Sequence, residues 1–377
     1  MKITTAGESH GKGLFAVIEG LPAGLKLDIE EINAMLSLRQ SGYGRGARQK
    51  IEADTAEIFS GARNCITLAS PLTVAVYNRD HENWKECFSP EACDASMRTL
   101  SDVRPGHADL TGLKKFGGSD ARNVLERASA RETAVRVAAG TVCRQLLREL
   151  GVEITGYVRA AGSVEDDKEY SFEEIRKGRL PELFMLDPVL QTRAMREIDE
   201  CRNAGDTLGG VAEIRVKGLK SGFGSCMTYA EKLDARLCAA MMSVQAIKGV
   251  ESGAGFGAAR RRGSAVHDEI YFSEERGFYR QTNRAGGIEG GMSNGEELVL
   301  RAAMKPIPTL MRGLNTVNYL TRQPSRAAAE RSDVTAILAA EVVLESAIAS
   351  ELAAVVCERL GGDRLDELKV RYGSIEA

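Results

Sequence analysis

Residues 129–158 read SARETAVRVAAGTVCRQLLRELGVEITGYV, and this stretch carries the reading of the fold. Ser129 followed three residues later by Glu132 has the form of a capping box. It predicts a helix through TAVRVAAGTVCRQLLREL that stops at Gly151, with VEITGYV as the strand that follows. The same alternation of element types recurs outward from it. LFAVIEG (14–20) and LTVAVY (72–77) read as strands. Between them DIEEINAMLSLR forms a helix that Asp28 caps, with Glu31 in its first turn, ending near Arg39.

Toward the C-terminus, residues 165–204 are highly charged and poorly patterned, which suggests a surface excursion. Asp187-Pro188 nevertheless opens a helix over 188–204 that Gly205 ends. VAEIRVK (211–217) alternates as a half-buried strand. Thr228 and Glu231 are expected to cap a helix through KLDARLCAAMMSVQAIK that Gly249 terminates, and a last long helix is expected from Ser332 to about Leu360. Length divided by about 150 suggests two or three domains. Without a fixed-period repeat or an obvious linker, one large α+β unit over residues 1–377 is the better expectation.

The chain has 377 residues, 43% hydrophobic and 27% charged, and its 50 Lys and Arg against 53 Asp and Glu leave a net charge of −3. So balanced a charge argues against a general nucleic-acid or membrane-surface role and confines anion binding to local clusters. The eight cysteines (65, 87, 93, 143, 201, 226, 238, 357) show no CxxC pair, so neither a disulfide framework nor a zinc knuckle is expected, and no metal site is predicted. MKITTAGESHGKG lacks the basic and apolar regions of a signal peptide, and no apolar run approaches a membrane span. A cytoplasmic protein is expected.

Two phosphate-loop patterns nearly match. GAGFGA (253–258) satisfies GxGxxA, but a helix rather than a strand is expected before it. GESHGKG (7–13) is one residue short between its glycines for a nucleotide-hydrolase loop and has Gly where the Mg²⁺-binding hydroxyl belongs. His81 and His267 sit among polar residues and read as solvated. The other two of the four histidines occupy short Gly- or Pro-containing loops, His10 in GESHG and His107 in RPGHAD, where imidazole suits proton transfer. Arg39, Arg45, Arg48 and Lys50 fall within twelve acid-free residues around GYGRG. Arg104, Arg127, Arg131 and Arg331 stand beside other glycine loops or helix starts. Guanidinium groups bind phosphate and carboxylate bidentately, so the ligand these clusters suit is a polyanion.

Eight ordered blocks now acquire a common meaning: GESHG (7–11), GYGRG (42–46), RPGHAD (104–109), RASARETAVRVAAG (127–140), GDTLGG (205–210), QAIKGVE (245–251), AGGIEGGMSNG (285–295) and RSDV (331–334). Together they make the sequence resemble the chorismate synthase family along nearly its whole length. The resemblance implies a helix and sheet sandwich and a homotetramer. It implies conversion of 5-enolpyruvylshikimate 3-phosphate to chorismate and phosphate by anti-1,4-elimination, with reduced FMN required although the net reaction is redox-neutral. It also implies that FMN is reduced either with NADPH by the protein itself or by an external flavin reductase. A flavin reductase, or a non-catalytic flavin- or RNA-binding protein on the same scaffold, is the competing reading.

By the same resemblance His10 stands near the departing phosphate, His107 near flavin and substrate, and Asp333 accepts a proton from flavin. Flavin contacts map onto Arg127, Ala128, Ser129, Gln245, Ala246, Gly290, Lys305, Pro306, Ile307, Pro308, Thr309 and Arg331, and substrate or NADPH contacts onto Arg39, Arg45, Arg48 and Arg131. The chain departs from many relatives in having Ser332-Asp333-Val334 for His-Asp-Pro and Lys305-Pro-Ile-Pro-Thr309 for KPTSS. The second departure bears on a side-chain hydroxyl contact to flavin that the resemblance implies.

Overall fold

A computed structural model describes residues 1–46, 53–327 and 333–375; Arg48, Lys50, Arg331 and Ser332 lie outside the described residues. Two antiparallel sheets form the outer layers. The first contains β1 (Lys2–Ala6), β2 (Gly13–Glu19), β3 (Ala56–Ser60) and β4 (Leu72–Tyr77) in the order β1-β2-β4-β3. Between β2 and β3 lies α1 (Ile29–Gln40), where the Asp28 carboxylate accepts the Glu31 N–H, as the sequence predicts.

After β4 come α2 (Asp109–Phe116), α3 (Arg122–Ala128) and α4 (Thr133–Arg148). The second sheet then begins with β5 (Glu153–Ala161) and the short β6 (Val164–Glu165). Helices α5 (Phe172–Gly178) and α6 (Pro188–Asn203) lead to β7 (Gly210–Lys217). Next come α7 (Leu233–Met242), β8 (Ile247–Ser252), the hairpin strands β9 (Ile270–Ser273) and β10 (Gly277–Arg280), and β11 (Leu298–Met304). The second sheet has the order β8-β11-β7-β5-β6.

Helices α1 and α4 lie on the first sheet, and α8 (Ile337–Leu360) lies on the second. Because α4 packs directly on α8, the chain is a sheet–helix–helix–sheet sandwich, and one hydrophobic core runs through all four layers. Burial between a sheet and a helix explains why α8 is apolar almost all round. The close approach of α4 and α8 depends on Gly140, where an added Cβ would sit 2.5 Å from both Cβ and the carbonyl oxygen of Ser346. We therefore expect Gly140→Ala to destabilise the fold by about 1–3 kcal/mol, read as a lowered Tm. An unchanged Tm would show that the two helices can separate at no cost.

Several local expectations need correction. Ser129 caps a single 3₁₀ turn by accepting the Arg131 N–H, and Glu132 does not return to complete a box. Instead the Glu132 carboxylate accepts from Thr5 Oγ1 and Gln245 Nε2, joining three elements. The helix expected over 229–248 stops at Met242, and QAIKGVE supplies β8, because pairing with β11 outweighs local helix propensity. A strand therefore does precede GAGFGA. The dinucleotide reading still fails, since β8 is an antiparallel edge strand followed by a six-residue 3₁₀ turn, Gly255–Arg260.

The charged stretch 165–204 is no mere excursion: it holds α5, begun by a true Ser171–Glu174 capping box, and buries Phe172, Ile175, Leu183 and Ile198. Strand β7 is buried on both faces, with Glu213 inaccessible to solvent among Arg159, Arg215 and Arg301. Helix α8 begins at Ile337, four residues past Asp333.

Candidate active site

Where the layers meet, the β1–β2 loop, the start of α4, the N-terminal turn of α8 and the segment after β11 enclose a cavity of about 640 Å³. That volume is in the range of small-molecule sites. Gly7 makes the loop possible: it has φ +103°, and a Cβ there would fall 2.2 Å from the Gly13 carbonyl oxygen. GESHGKG thus links two antiparallel strands, which is not the strand-to-helix turn of a nucleotide hydrolase. Ser9 N donates to the Glu126 carbonyl (3.0 Å), and Asn78 Nδ2 donates to the carbonyls of Glu8 and Gly11. These bonds fix His10 at the cavity wall.

Each motif histidine is braced on Nδ1 by a buried carboxylate that also receives an arginine. His10 Nδ1 lies 2.8–2.9 Å from both oxygens of Glu126, and Arg122 Nη1 lies 3.3 Å from Glu126 Oε1. His107 Nδ1 lies 2.5 Å from Asp109 Oδ1, while Arg104 donates through Nε (2.8 Å) and Nη2 (3.1 Å) to the two Asp109 oxygens. Burial pushes the Asp109 carboxyl up, but the hydrogen bonds from His107 and Arg104 outweigh it and hold the group well below the usual carboxylate range. With Nδ1 engaged, Nε2 is the nitrogen each ring can offer to a ligand.

His81 corrects its reading as a solvated residue, since its Nδ1 lies 3.0 Å from the His10 carbonyl oxygen and the residue is half-buried. His267 is exposed as expected.

Among the described lining residues, Arg39, Arg45, Arg104, Arg122, Arg131 and Lys305 stand against two carboxylates, Asp80 and Asp333. Buried Asp54 sits behind them, 2.7 Å from Arg131 Nη1 and 3.5 Å from Arg39 Nη1. Burial pulls the Arg39 guanidinium down to about 10; Asp54 pushes it back up, and the nearby Arg131 and Arg45 charges add to the depression. Arg45 is likewise lowered by burial and supported by Asp333 at 2.9 Å. Cations held at such a cost in desolvation are relieved by an anion. The N-terminus of α8 adds its dipole at the same wall, where Ala336, Ala339 and Ala340 keep the surface small.

Of the residues expected to contact a flavin, Ala128, Ser129, Gln245, Ala246, Lys305, Ile307, Pro308 and Thr309 line the cavity. Arg127 does not; its guanidinium staples the β1 end by donating to the carbonyls of Gly7 and Thr5. Pro306 and Gly290, the latter in the Ile288–Ser293 hairpin, are also outside the lining. Thr309 Oγ1 accepts from Arg104 Nη1 at 3.4 Å, so its hydroxyl supports the His107 cluster. Arg48 and Arg331 lie outside the described residues.

Sequence reasoning missed Asp80 and Trp84 in this wall and the buried carboxylates Glu126 and Asp54 behind it. Asp109 was visible only as a letter of RPGHAD. At the cavity, the acceptor Gln245 Oε1 and the donor Arg45 Nε are buried with no hydrogen-bond partner among the described residues. The first matches an N–H edge of a flavin ring and the second an acidic ligand, so this donor set fits FMN beside a polyanion. No group of His, Cys, Asp or Glu able to hold a metal occurs among the described residues, and no helix there is long and apolar enough to cross a membrane.

Fold and cavity together define an α+β sandwich protein with a cationic pocket and two carboxylate-braced imidazoles. The comparisons make this specific. The family model "Chorismate synthase" matches residues 1–357. Chorismate synthase of Geobacter sulfurreducens is 51% identical over 383 residues, covering 99% of this chain and 97% of that protein. That of Caldicellulosiruptor bescii is 50% identical over 367 residues, with 96% of each covered. A solved structure titled "Crystal Structure of Chorismate Synthase" superposes with a TM-score of 0.78 at 39% identity, covering 99% of this chain and 96% of its own. The chain belongs to the chorismate synthase family, and with it to the shikimate pathway of aromatic biosynthesis.

Proposed function

We propose that the chain is a carbon–oxygen lyase that converts 5-enolpyruvylshikimate 3-phosphate to chorismate and inorganic phosphate by anti-1,4-elimination, with reduced FMN and no net redox change. The observation that carries this reading is the joining of six cations and two braced imidazoles around one cavity. Reduced FMN, if bound, would supply transient electron density for the loss of phosphate from carbon 3, with no net redox change over the turnover. The chain's own residues do the rest. Arg39, Arg45 and Arg131 receive the phosphate and carboxylates of the substrate, and His10 presents Nε2 to the departing phosphate.

His107 would stand as a proton donor at the flavin–substrate boundary, and Asp333 would hold a proton from reduced FMN and return it as the turnover closes. Gln245 Oε1, with Ala128, Ser129, Ala246, Lys305 and the 307–309 segment, holds the ring and keeps water out. The reading extends to a cytoplasmic homotetramer whose flavin is reduced with NADPH by the protein itself or by an external flavin reductase.

Anaerobic incubation with substrate and photoreduced FMN, followed by chorismate absorbance, tests it. Product without net FMN oxidation is expected. Stoichiometric flavin or NADPH oxidation without chorismate would instead make the chain a reductase, and salt-sensitive RNA binding without turnover would make it a binding module.

The cluster at the GYGRG turn gives a separate prediction. Lys at position 45 keeps the charge but loses the planar fork and the Nε donor, so Arg45→Lys should weaken substrate binding about tenfold or more. An unchanged dissociation constant, measured calorimetrically, would remove Arg45 from the binding site.

A further inference from the structure

We propose that Glu126 is the positioning residue of His10 and that Trp84 fixes the plane of its ring, so that Nε2 alone exchanges protons with a ligand. This rests on the catalytic reading of His10 given above. Three donors converge on the Glu126 carboxylate: His10 Nδ1 (2.8–2.9 Å), the His10 backbone N–H (2.9 Å) and Arg122 Nη1 (3.3 Å). The carboxylate is almost wholly buried on α3, 116 residues from the histidine it holds.

One face of the imidazole stacks on Trp84, with ring centroids 3.8 Å apart and planes inclined by 23°. Trp84 is itself held. Its Nε1 donates to Asp80 Oδ2 (3.0 Å), and the guanidinium carbons of Arg98 and Arg122 lie 4.1 and 4.9 Å from its ring centroid. Asp80 Oδ2 then stands 4.0 Å from His10 Nε2, at the cavity wall. The carboxylate fixes which nitrogen carries its proton inward, and the indole prevents the ring from turning about its plane.

Gln at 126 has the size of Glu but only one acceptor, so one of the three donors would face an N–H. Glu126→Gln should lower kcat about 10- to 100-fold with KM within about threefold, and Glu126→Asp, which keeps both acceptors, should recover most of the loss. Trp84 is the only tryptophan of the chain, so its emission reports the stack in the flavin-free protein without any turnover. His10→Gln should change that emission, and Glu126→Gln should reproduce at least half of the change. Wild-type emission in either variant would overturn the proposal, as would equal losses in the Gln and Asp variants accompanied by a raised KM. If the wild-type protein makes no chorismate, the function reading fails, while the emission still decides the role of Glu126.

Discussion

Changing His107 to Ala should lower chorismate formation by at least about 100-fold while FMN still binds, the loss expected when a general acid–base group is removed. The structure sharpens the reason. His107 Nδ1 is committed to Asp109, whose second oxygen is clamped by Arg104, which in turn reaches Thr309. The imidazole is therefore held by a preformed cluster before any ligand arrives, and Ala deletes the proton carrier while leaving that cluster in place. His10→Ala should cost a similar factor, because its Glu126 brace is of the same kind. Flavin affinity by fluorescence quenching and single-turnover formation of chorismate would separate binding from chemistry. Near-normal turnover in His10→Ala would remove that residue from the mechanism, and the same result in His107→Ala would do so for its partner.

Asp333→Asn should bind FMN nearly normally and turn over at least about 100-fold more slowly, with the loss in the chemical step. Were Asp333 only a helix cap, the change would be nearly silent, because Asn caps as well as Asp. The structure removes that account, because α8 starts at Ile337 and Asp333 is turned toward the GYGRG loop. There it accepts the Gly46 N–H at 2.6 Å and pairs with Arg45 at 2.9 Å. Asn retains an acceptor for these donors but carries no charge and cannot hold a proton taken from flavin. Arg45 also loses the carboxylate that shares it, so substrate affinity should stay level or rise as kcat falls. Wild-type single-turnover rates in the Asn variant would sink the assignment.

His10 with Glu126, and Asp333 with Arg45 and Gly46, meet companions from distant parts of the chain, and this marks the limit of what could be read from sequence. Asp28 with Glu31, and Asp187 with Pro188, place helix starts correctly because a cap is a contact within four residues. QAIKGVE was misread because its strand state is decided by Leu298–Met304, about fifty residues away. Ser129 and Glu132 have the letters of a capping box, yet Glu132 is drawn to Thr5 and Gln245 instead.

By itself, the sequence determined the alternation of helices and strands, the two loop histidines, the cationic turn at 39–45 and, through ordered motifs, the family. Those are properties of neighbours along the chain, where steric preference and local hydrogen bonding act. Only the tertiary structure decided which carboxylate serves which distant partner: Glu126 for His10, Asp54 for Arg39 and Arg131, Asp333 for Arg45. It also separated Gly290, Pro306 and Arg127 from the cavity lining and placed Trp84 against His10. A buried charge must find a partner or stay costly, and in a four-layer sandwich the nearest partner in space is set by how the layers stack, which no local pattern encodes.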